Sequence, residues 1–187
     1  MTDSSIISID ESSLENNVAF LKKKMGEKVI ISAVVKANAY GHGIEYTVPL
    51  FEKHGITHYS VFSYSEAIRV YNCLSNPQTI VIMGWIADQN IHDVIEKEIE
   101  FFIFNLERLE IAINCAKQLN RKANIHIEAE TGMNRSGLGK EELKKQLIPL
   151  IKANQDYLNV VGLCTHLAGA ESISNHSRIR KQLKKYD

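Results

Sequence analysis

Residues 29–43 read VIISAVVKANAYGHG. The first part, VIISAVV, has the character of a buried strand: short, β-branched and nearly free of polar side chains. Lys36 stands where that strand should end, and a small-residue loop carrying Gly41 and Gly43 follows. A strand-end lysine ordinarily reaches solvent. Its other use is chemical, because a partly desolvated ammonium disfavours its charged form and the freed amine is a nucleophile towards aldehydes. The residues by themselves leave both uses open.

On either side of this stretch the chain alternates between strand and helix patterns. SIISI (Ser5–Ile9) reads as a short strand, and SSLENNVAFLKKKMG as a helix. Ser12 or Ser13 supplies the cap, Leu14, Val18 and Leu21 recur at helical spacing, and Gly26 closes the pattern. IEYTVPLFEKHG is the next helix, with Pro49 marking a kink or a late start. Then come HYSVFS and YSEAIRVYNCL, TIVIMG and NIHDVIEKE, FFIF and LERLEIAINCAKQLN, NIHIEAE and KEELKKQLIPLIKAN, and VVGLCTH and SRIRKQLKKYD. About six strand–helix units follow the opening strand, with strands suited to a parallel sheet covered on both faces. No Pro/Gly/Ser-rich linker, low-complexity tract or repeat interrupts them.

Such an α/β chain folds as a doubly wound sheet or as a βα-barrel. The glycines of KANAYGHG do not fit the GxGxxG turn of a dinucleotide-binding sheet. A barrel collects its functional residues at the C-terminal ends of several strands. This chain places Lys36, Trp85, Arg135 and His166 at or just past four such ends. The expected fold is therefore a (β/α)8 TIM-type barrel. A complete barrel has eight units and about 250 residues. A chain of 187 residues is thus expected to be a truncated barrel, residues 1–187 forming its N-terminal part.

In NIHIEAE, Ile125, Ile127 and Ala129 share one face, and His126, Glu128 and Glu130 the other. The apolar face should meet the helix layer, which turns the polar face inward, where carboxylates need partners.

Composition narrows the function classes. Hydrophobic residues make up 44% and charged residues 24%, and 22 basic residues balance 22 acidic ones. Zero formal charge removes the electrostatic argument for nucleic acid or an anionic membrane. The basic clusters LKKK and RIRKQLKKYD lie in amphipathic helical patterns and read as solvated faces. No apolar run approaches the roughly 20 residues that span a bilayer, and MTDSSIISID lacks the features of a signal peptide. Cys73, Cys115 and Cys164 are scattered in apolar surroundings without metal-type spacing, which suits buried thiols in a reducing cytoplasm and no metal.

AVVKANAYGHG resembles the cofactor-attachment motif of the alanine racemase family, whose lysine holds pyridoxal 5'-phosphate as a Schiff base. The resemblance implies that role for Lys36, a hydrogen bond from Tyr40 to the cofactor phosphate, and a close backbone approach at Gly41 and Gly43. His42 receives no role. EAETGMNRSGLG is similar to a second family segment. It puts Arg135 at the cofactor's phenolic oxygen, where a permanent cation can hold an anion, and Met133 near the substrate carboxylate. CTHLAGAES resembles a third segment, with His166 stacked on the cofactor ring, and MGWI a fourth, with Trp85 lining the site. SIISIDESSLENNVAFLK is similar to the family's N-terminus. In the family, residues 1–10 would associate with a C-terminal β-domain that this sequence does not contain.

At Glu128 the sequence departs from the family, many members of which have a lysine there that can be carbamylated into an anion. A glutamate is already anionic, so Glu128 is expected to pair with Arg135 without a carbamate.

The resemblance implies a homodimeric, cytoplasmic racemase that interconverts L- and D-alanine for cell-wall precursors. Lys36 is one base, and a tyrosine of the partner subunit's C-terminal domain is the other. The phosphate-binding residues and the pyridine-nitrogen arginine also belong to the second half. Serine or another amino acid stays open as substrate. Two other readings accompany this one: a barrel that binds pyridoxal phosphate without racemising, and a catalytically silent fragment. The 187-residue chain by itself is expected to be inactive.

Overall fold

Each apolar run of the sequence becomes a short parallel strand whose end opens into a loop. The computed structural model describes residues 5–169 and 172–187. They fall into two compact units, Met1–Ile86 and Ala87–Asp187.

In the first unit, α1 (Glu11–Met25) precedes β1 (Ser32–Val34), a single helical turn α2 (Lys36–Tyr40) and α3 (Ile44–Lys53). Next come β2 (His58–Val61), α4 (Tyr64–Cys73) and β3 (Thr79–Ile82). β1 pairs with β2 and β2 with β3, all parallel. Val35 N–H donates to Ser60 O and carries the pairing one residue beyond β1, to the residue before Lys36. Val35, Ile44, Val48, Tyr59, Val61, Val70 and Ile82 are buried, so the helices pack their apolar stripes on the sheet. Ser32 and Ser60 share a hydrogen bond of 2.6 Å, and His58 Nδ1 joins Ser32 Oγ at 2.7 Å.

In the second unit, α5 (Asp88–Glu96), β4 (Glu100–Ile103), α6 (Leu106–Leu119) and β5 (Ala123–Glu128) lead to a long helical segment. That segment runs as α7 (Lys140–Glu142), a π-helical stretch (Leu143–Leu147) and α8 (Ile148–Ala153). Pro149 lies at its α8 start and cannot donate a backbone hydrogen bond, and a wider turn before it accommodates that loss. β6 (Leu158–Cys164), a 3₁₀ turn (Ile173–Asn175) and α9 (His176–Tyr186) complete the unit. β4 pairs with β5 and β5 with β6, again parallel, with a bulge between Ile125 and His126. Gly162 faces this bulge: a Cβ there would lie 2.7 Å from His126 Nδ1.

Several local expectations are corrected. Residues 5–10 form no strand, and Ile6 and Ile7 are exposed; their backbone finds no strand to pair with among the described residues. Residues 1–4, the rest of that predicted segment, lie outside the described residues. The α1 cap is Asp10, whose Oδ1 accepts from Ser13 N–H (2.8 Å) and Ser12 Oγ (2.7 Å); Gly26 is the C-cap as expected. Pro49 does not delay α3, which begins at Ile44. The strand in 29–35 shrinks to Ser32–Val34, and Val29 and Ile30 are exposed. On β6, Val160, Val161 and Leu163 are exposed, so this strand lacks the cover on both faces that its apolar sequence suggests. No helix among the described residues is long and apolar enough to cross a membrane.

Candidate active site

Lys36 begins directly after β1 and the buried Val35. Its side chain is half-buried, and no described residue supplies its Nζ with a hydrogen bond or ion pair. The backbone that presents it is unusual. Ala37 (φ 51°, ψ 45°), Asn38 (φ 56°, ψ 47°) and Ala39 (φ 53°, ψ 46°) are all in the left-handed helical region, and Tyr40 follows with φ 54°. α2 is therefore one turn of left-handed helix. Its own bonds close it: Ala39 N–H donates to Val35 O (2.9 Å) and Gly41 N–H to Ala37 O (3.2 Å). L-residues lose roughly 1–2 kcal/mol each in this conformation, and only Asn among these four tolerates it well.

Side chains from α4 and α3 hold the turn. Ala37 N–H donates to Glu66 Oε1 at 2.6 Å. The other oxygen of Glu66 accepts from Phe62 N–H (3.0 Å) and Ser63 N–H (3.3 Å), and Ser63 Oγ accepts from Glu66 N–H, a capping box that starts α4. Arg69 donates from Nη2 to Asn38 Oδ1 (2.6 Å) and forms a two-pronged ion pair with Glu45 on α3 (2.7 Å to each oxygen). The Arg69 guanidinium holds the Glu45 carboxyl down at about 2. Asn38 Oδ1 also accepts from Ile44 N–H, tying the turn to the start of α3. These bonds are solvent-exposed, so screening limits each to about 1 kcal/mol or less, and it is their number on two consecutive residues that opposes the strain of the turn. Gly43, at φ 90°, turns the chain into α3. Tyr40 is exposed, and His42 Nδ1 meets Ala39 O at 2.8 Å. Trp85, past β3, is also exposed.

In the second unit, the loop after β5 returns to its own strand. Leu138 N–H donates to Glu128 O and Glu130 N–H to Leu138 O. Glu130 folds back to accept from Gly132 N–H and from Asn134 N–H (2.8 Å). The polar face of β5 finds partners as expected. His126 Nε2 meets Glu100 Oε2 at 2.5 Å, and Glu128, only 5% exposed, accepts from Ser136 Oγ at 3.0 Å. The expected Glu128–Arg135 ion pair does not form: Arg135 is exposed and has no ion-pair partner among the described residues. The physical reason is reach, because a short strand-end glutamate meets the nearby Ser136 hydroxyl first. Met133 is half-buried in the same loop.

His166, two residues past β6, is exposed. Its carbonyl accepts from Gln182 Nε2 on α9 (2.8 Å). Gln182 is 1% exposed; it also donates to Thr131 Oγ1 (3.3 Å), and its Oε1 accepts from Ala168 N–H (2.8 Å). One buried amide thus ties the loop of Met133 and Arg135 to the loop of His166. Beside them, burial pushes the Cys164 thiol up to about 12, helped by the Glu128 charge, so it stays a neutral thiol. Among the described residues no group of His, Cys, Asp and Glu could hold a metal.

The candidate residues thus divide by unit: Lys36, Tyr40 and Trp85 in the first, Glu128, Met133, Arg135 and His166 in the second. Their donor set fits pyridoxal phosphate in kind: an amine and a guanidinium with no carboxylate partner among the described residues, a phenol and an imidazole. The supporting residues Glu66, Arg69, Glu130, Ser136 and Gln182 did not stand out in the sequence. For Glu66 a signal existed, the Ser63-x-x-Glu66 spacing of a capping box; for Gln182 none did.

Comparison with known proteins gives a consistent picture. The family model for the alanine racemase N-terminal domain matches residues 9–187. Alanine racemase of Helicobacter pylori (strain G27) is 30% identical over 185 residues, covering 98% of this chain and 48% of that protein. That of Methanococcus maripaludis is 29% identical over 165 residues, covering 88% and 43%. The chain spans about half the length of the curated relatives it matches. Among solved structures, alanine racemase of Clostridium difficile 630 in complex with cycloserine is 29% identical, with a TM-score of 0.83 over 95% of this chain and 48% of that one. The enzyme of Streptomyces lavendulae has a TM-score of 0.87 at 24% identity and speaks for the fold alone. The fold class is thus α/β of the TIM-barrel type, of which this chain carries an N-terminal part.

Proposed function

The chain belongs to the alanine racemase N-terminal domain family, and on that premise we propose that it is the pyridoxal-phosphate-holding part of a racemase interconverting L- and D-alanine. The observation that carries this is Lys36: an amine without a partner among the described residues, placed just past β1 and the buried Val35 and lifted by a left-handed turn.

When bound, pyridoxal phosphate supplies an electron sink for the charge left at Cα when the α-proton departs. Lys36 Nζ would hold the cofactor and would take or return the α-proton on one face of the substrate. By family resemblance, Tyr40 would donate its hydroxyl hydrogen to the phosphate, Arg135 would hold the phenolic oxygen as an anion, His166 would lie against the ring, and Met133 and Trp85 would line the substrate space. Glu128 supports the Arg135 loop through Ser136. The second base, a homodimeric assembly, a cytoplasmic location and a role in cell-wall precursor supply belong to the same proposal, supported by family membership.

The test is reduction with borohydride after incubation with pyridoxal phosphate, followed by peptide mapping, alongside α-proton exchange of both alanine enantiomers. The label should fall on Lys36; labelling of another lysine instead overturns the reading. The chain spans only half of its relatives, which favours a second outcome: cofactor capture at Lys36 without racemisation. Adding the C-terminal half of a full-length relative, in trans or in a fusion, separates the two.

A further inference from the structure

We propose that Glu66 is a positioning residue for Lys36: its carboxylate, with the guanidinium of Arg69 one turn along α4, clamps the left-handed turn that presents the lysine. The proposal rests on the reading of Lys36 as the cofactor lysine. The N–H that Glu66 holds belongs to the peptide joining Lys36 to Ala37. The peptide before Lys36 is held as well, because Val35 O accepts from Ala39 N–H, and with the planes on both sides held both backbone rotations of Lys36 are constrained, and with them the direction in which its side chain leaves the chain.

Three observations carry the argument. The turn needs an outside hold, because Ala37, Ala39 and Tyr40 have no intrinsic preference for positive φ. The hold is specific to a carboxylate, since both oxygens act as acceptors: Oε1 for Ala37 N–H, Oε2 for Phe62 and Ser63 N–H. A glutamine at this place has one acceptor and one donor, so one of these sides would face donor against donor. Finally, the grip is doubled. Arg69 engages Asn38, the next residue of the turn, while anchored by Glu45 at the start of α3. Two side chains of one helix thus hold two consecutive residues of the turn.

The experiment uses the 187-residue chain and the variants Glu66→Gln, Ser63→Ala and Arg69→Met. Two measurements are made on each: amide hydrogen exchange resolved by NMR, without cofactor, and the rate of borohydride-trapped pyridoxal phosphate at Lys36 at saturating cofactor. In the parent chain the Ala37 amide should be protected and shifted downfield by its short charge-assisted bond. In Glu66→Gln the amides of Ala37, Ala39 and Gly41 should exchange at least tenfold faster. Amides of β1 and β2 should keep their protection, and trapping should slow at least fivefold. Ser63→Ala weakens only the α4 cap and should leave Ala37 and the trapping rate unchanged. Unaltered Ala37 exchange in Glu66→Gln overturns the proposal, as does trapping at the parent rate. The same slowing in Ser63→Ala also overturns it, because the effect would then come from the helix cap. If Glu66→Gln does not fold, Arg69→Met decides: the clamp predicts faster exchange at Asn38–Gly41 and slower trapping, and parent values refute it. Failure of the parent chain to label at Lys36 refutes the cofactor reading, while the exchange arm still tests the clamp.

Discussion

After β1, the backbone donor beside Lys36 reaches a carboxylate 29 residues away, Glu66 on α4. After β5, Gly132 and Asn134 donate to Glu130, two and four residues before them. Both loops leave a parallel strand, lose the ladder that satisfied their backbone, and replace it with a carboxylate. The difference lies in what must fold first. The second loop can close on itself as soon as the chain turns, whereas the first needs α4 packed against its strands. The strained conformation occurs where the hold is non-local, since a local segment has no means of imposing four consecutive left-handed residues on Ala, Asn, Ala and Tyr.

The largest expected effect separates chemistry from packing in the first loop. Lys36→Ala should abolish borohydride-trapped label at this strand end while leaving the melting temperature within a degree or two. Among the described residues Lys36 Nζ has no partner whose loss would cost stability. A large drop in melting temperature would mean that the lysine packs rather than reacts.

In the second unit, the non-local hold is Gln182. Gln182→Leu leaves the His166 carbonyl, the Ala168 N–H and the Thr131 hydroxyl without this amide. A loss of about 3 kcal/mol in urea unfolding is expected; a neutral result would show that the two loops are secured locally.

The two glycine turns sharpen the contrast further. Gly137 (φ 102°) lies against backbone: a Cβ there would sit 2.9 Å from Glu130 N and 3.1 Å from Glu128 O. Gly43 (φ 90°) meets only the exposed Tyr46 ring, 2.8 Å from its Cδ2, which can swing away. Gly137→Ala should therefore cost about 2–3 kcal/mol and Gly43→Ala only the roughly 1 kcal/mol of an unfavourable φ. The reverse order in a denaturant series would contradict this account.

The smallest effect is one of pH. The Glu45 pKa lies near 2, depressed first by its hydrogen bonds to Arg69. A depressed acid stabilises the fold fully above its unfolded value, and that stability is lost as pH falls towards 2. Glu45 and Arg69 are both more than a third exposed, so solvent screening limits the contribution to less than about 1 kcal/mol. Comparing the parent with Glu45→Gln, the stability difference should be steady from pH 7 to 5, shrink as pH falls from there to 2, and vanish only below the folded pKa. A difference as large at pH 2 as at pH 7 would show that the ion pair is not its source.

The order of strands and helices was legible because periodicity and caps are local. Leu14, Val18 and Leu21 mark α1 at helical spacing, and apolar runs mark β2 to β5. Lys36, Tyr40 and Arg135 stood out in the sequence only as residues of quoted motifs, and the structure places all three in loops past strand ends, with Tyr40 and Arg135 exposed. Glu66 and Gln182 were not, because a capping glutamate and a helical glutamine look ordinary until the fold brings a foreign loop to them. Glu128 was half legible: its burial follows from strand alternation, but its partner is Ser136 and not Arg135.

What the sequence by itself determined is therefore the alternation of elements and the lysine at the end of β1, both written in residues close together along the chain. Tertiary structure decided the left-handed turn that carries the lysine, the carboxylate that holds it, and the partner of Glu128. The physical reason is that a conformation disfavoured locally persists only through bonds to residues far along the chain, and the choice among polar partners depends on distances that exist only once the strands are paired.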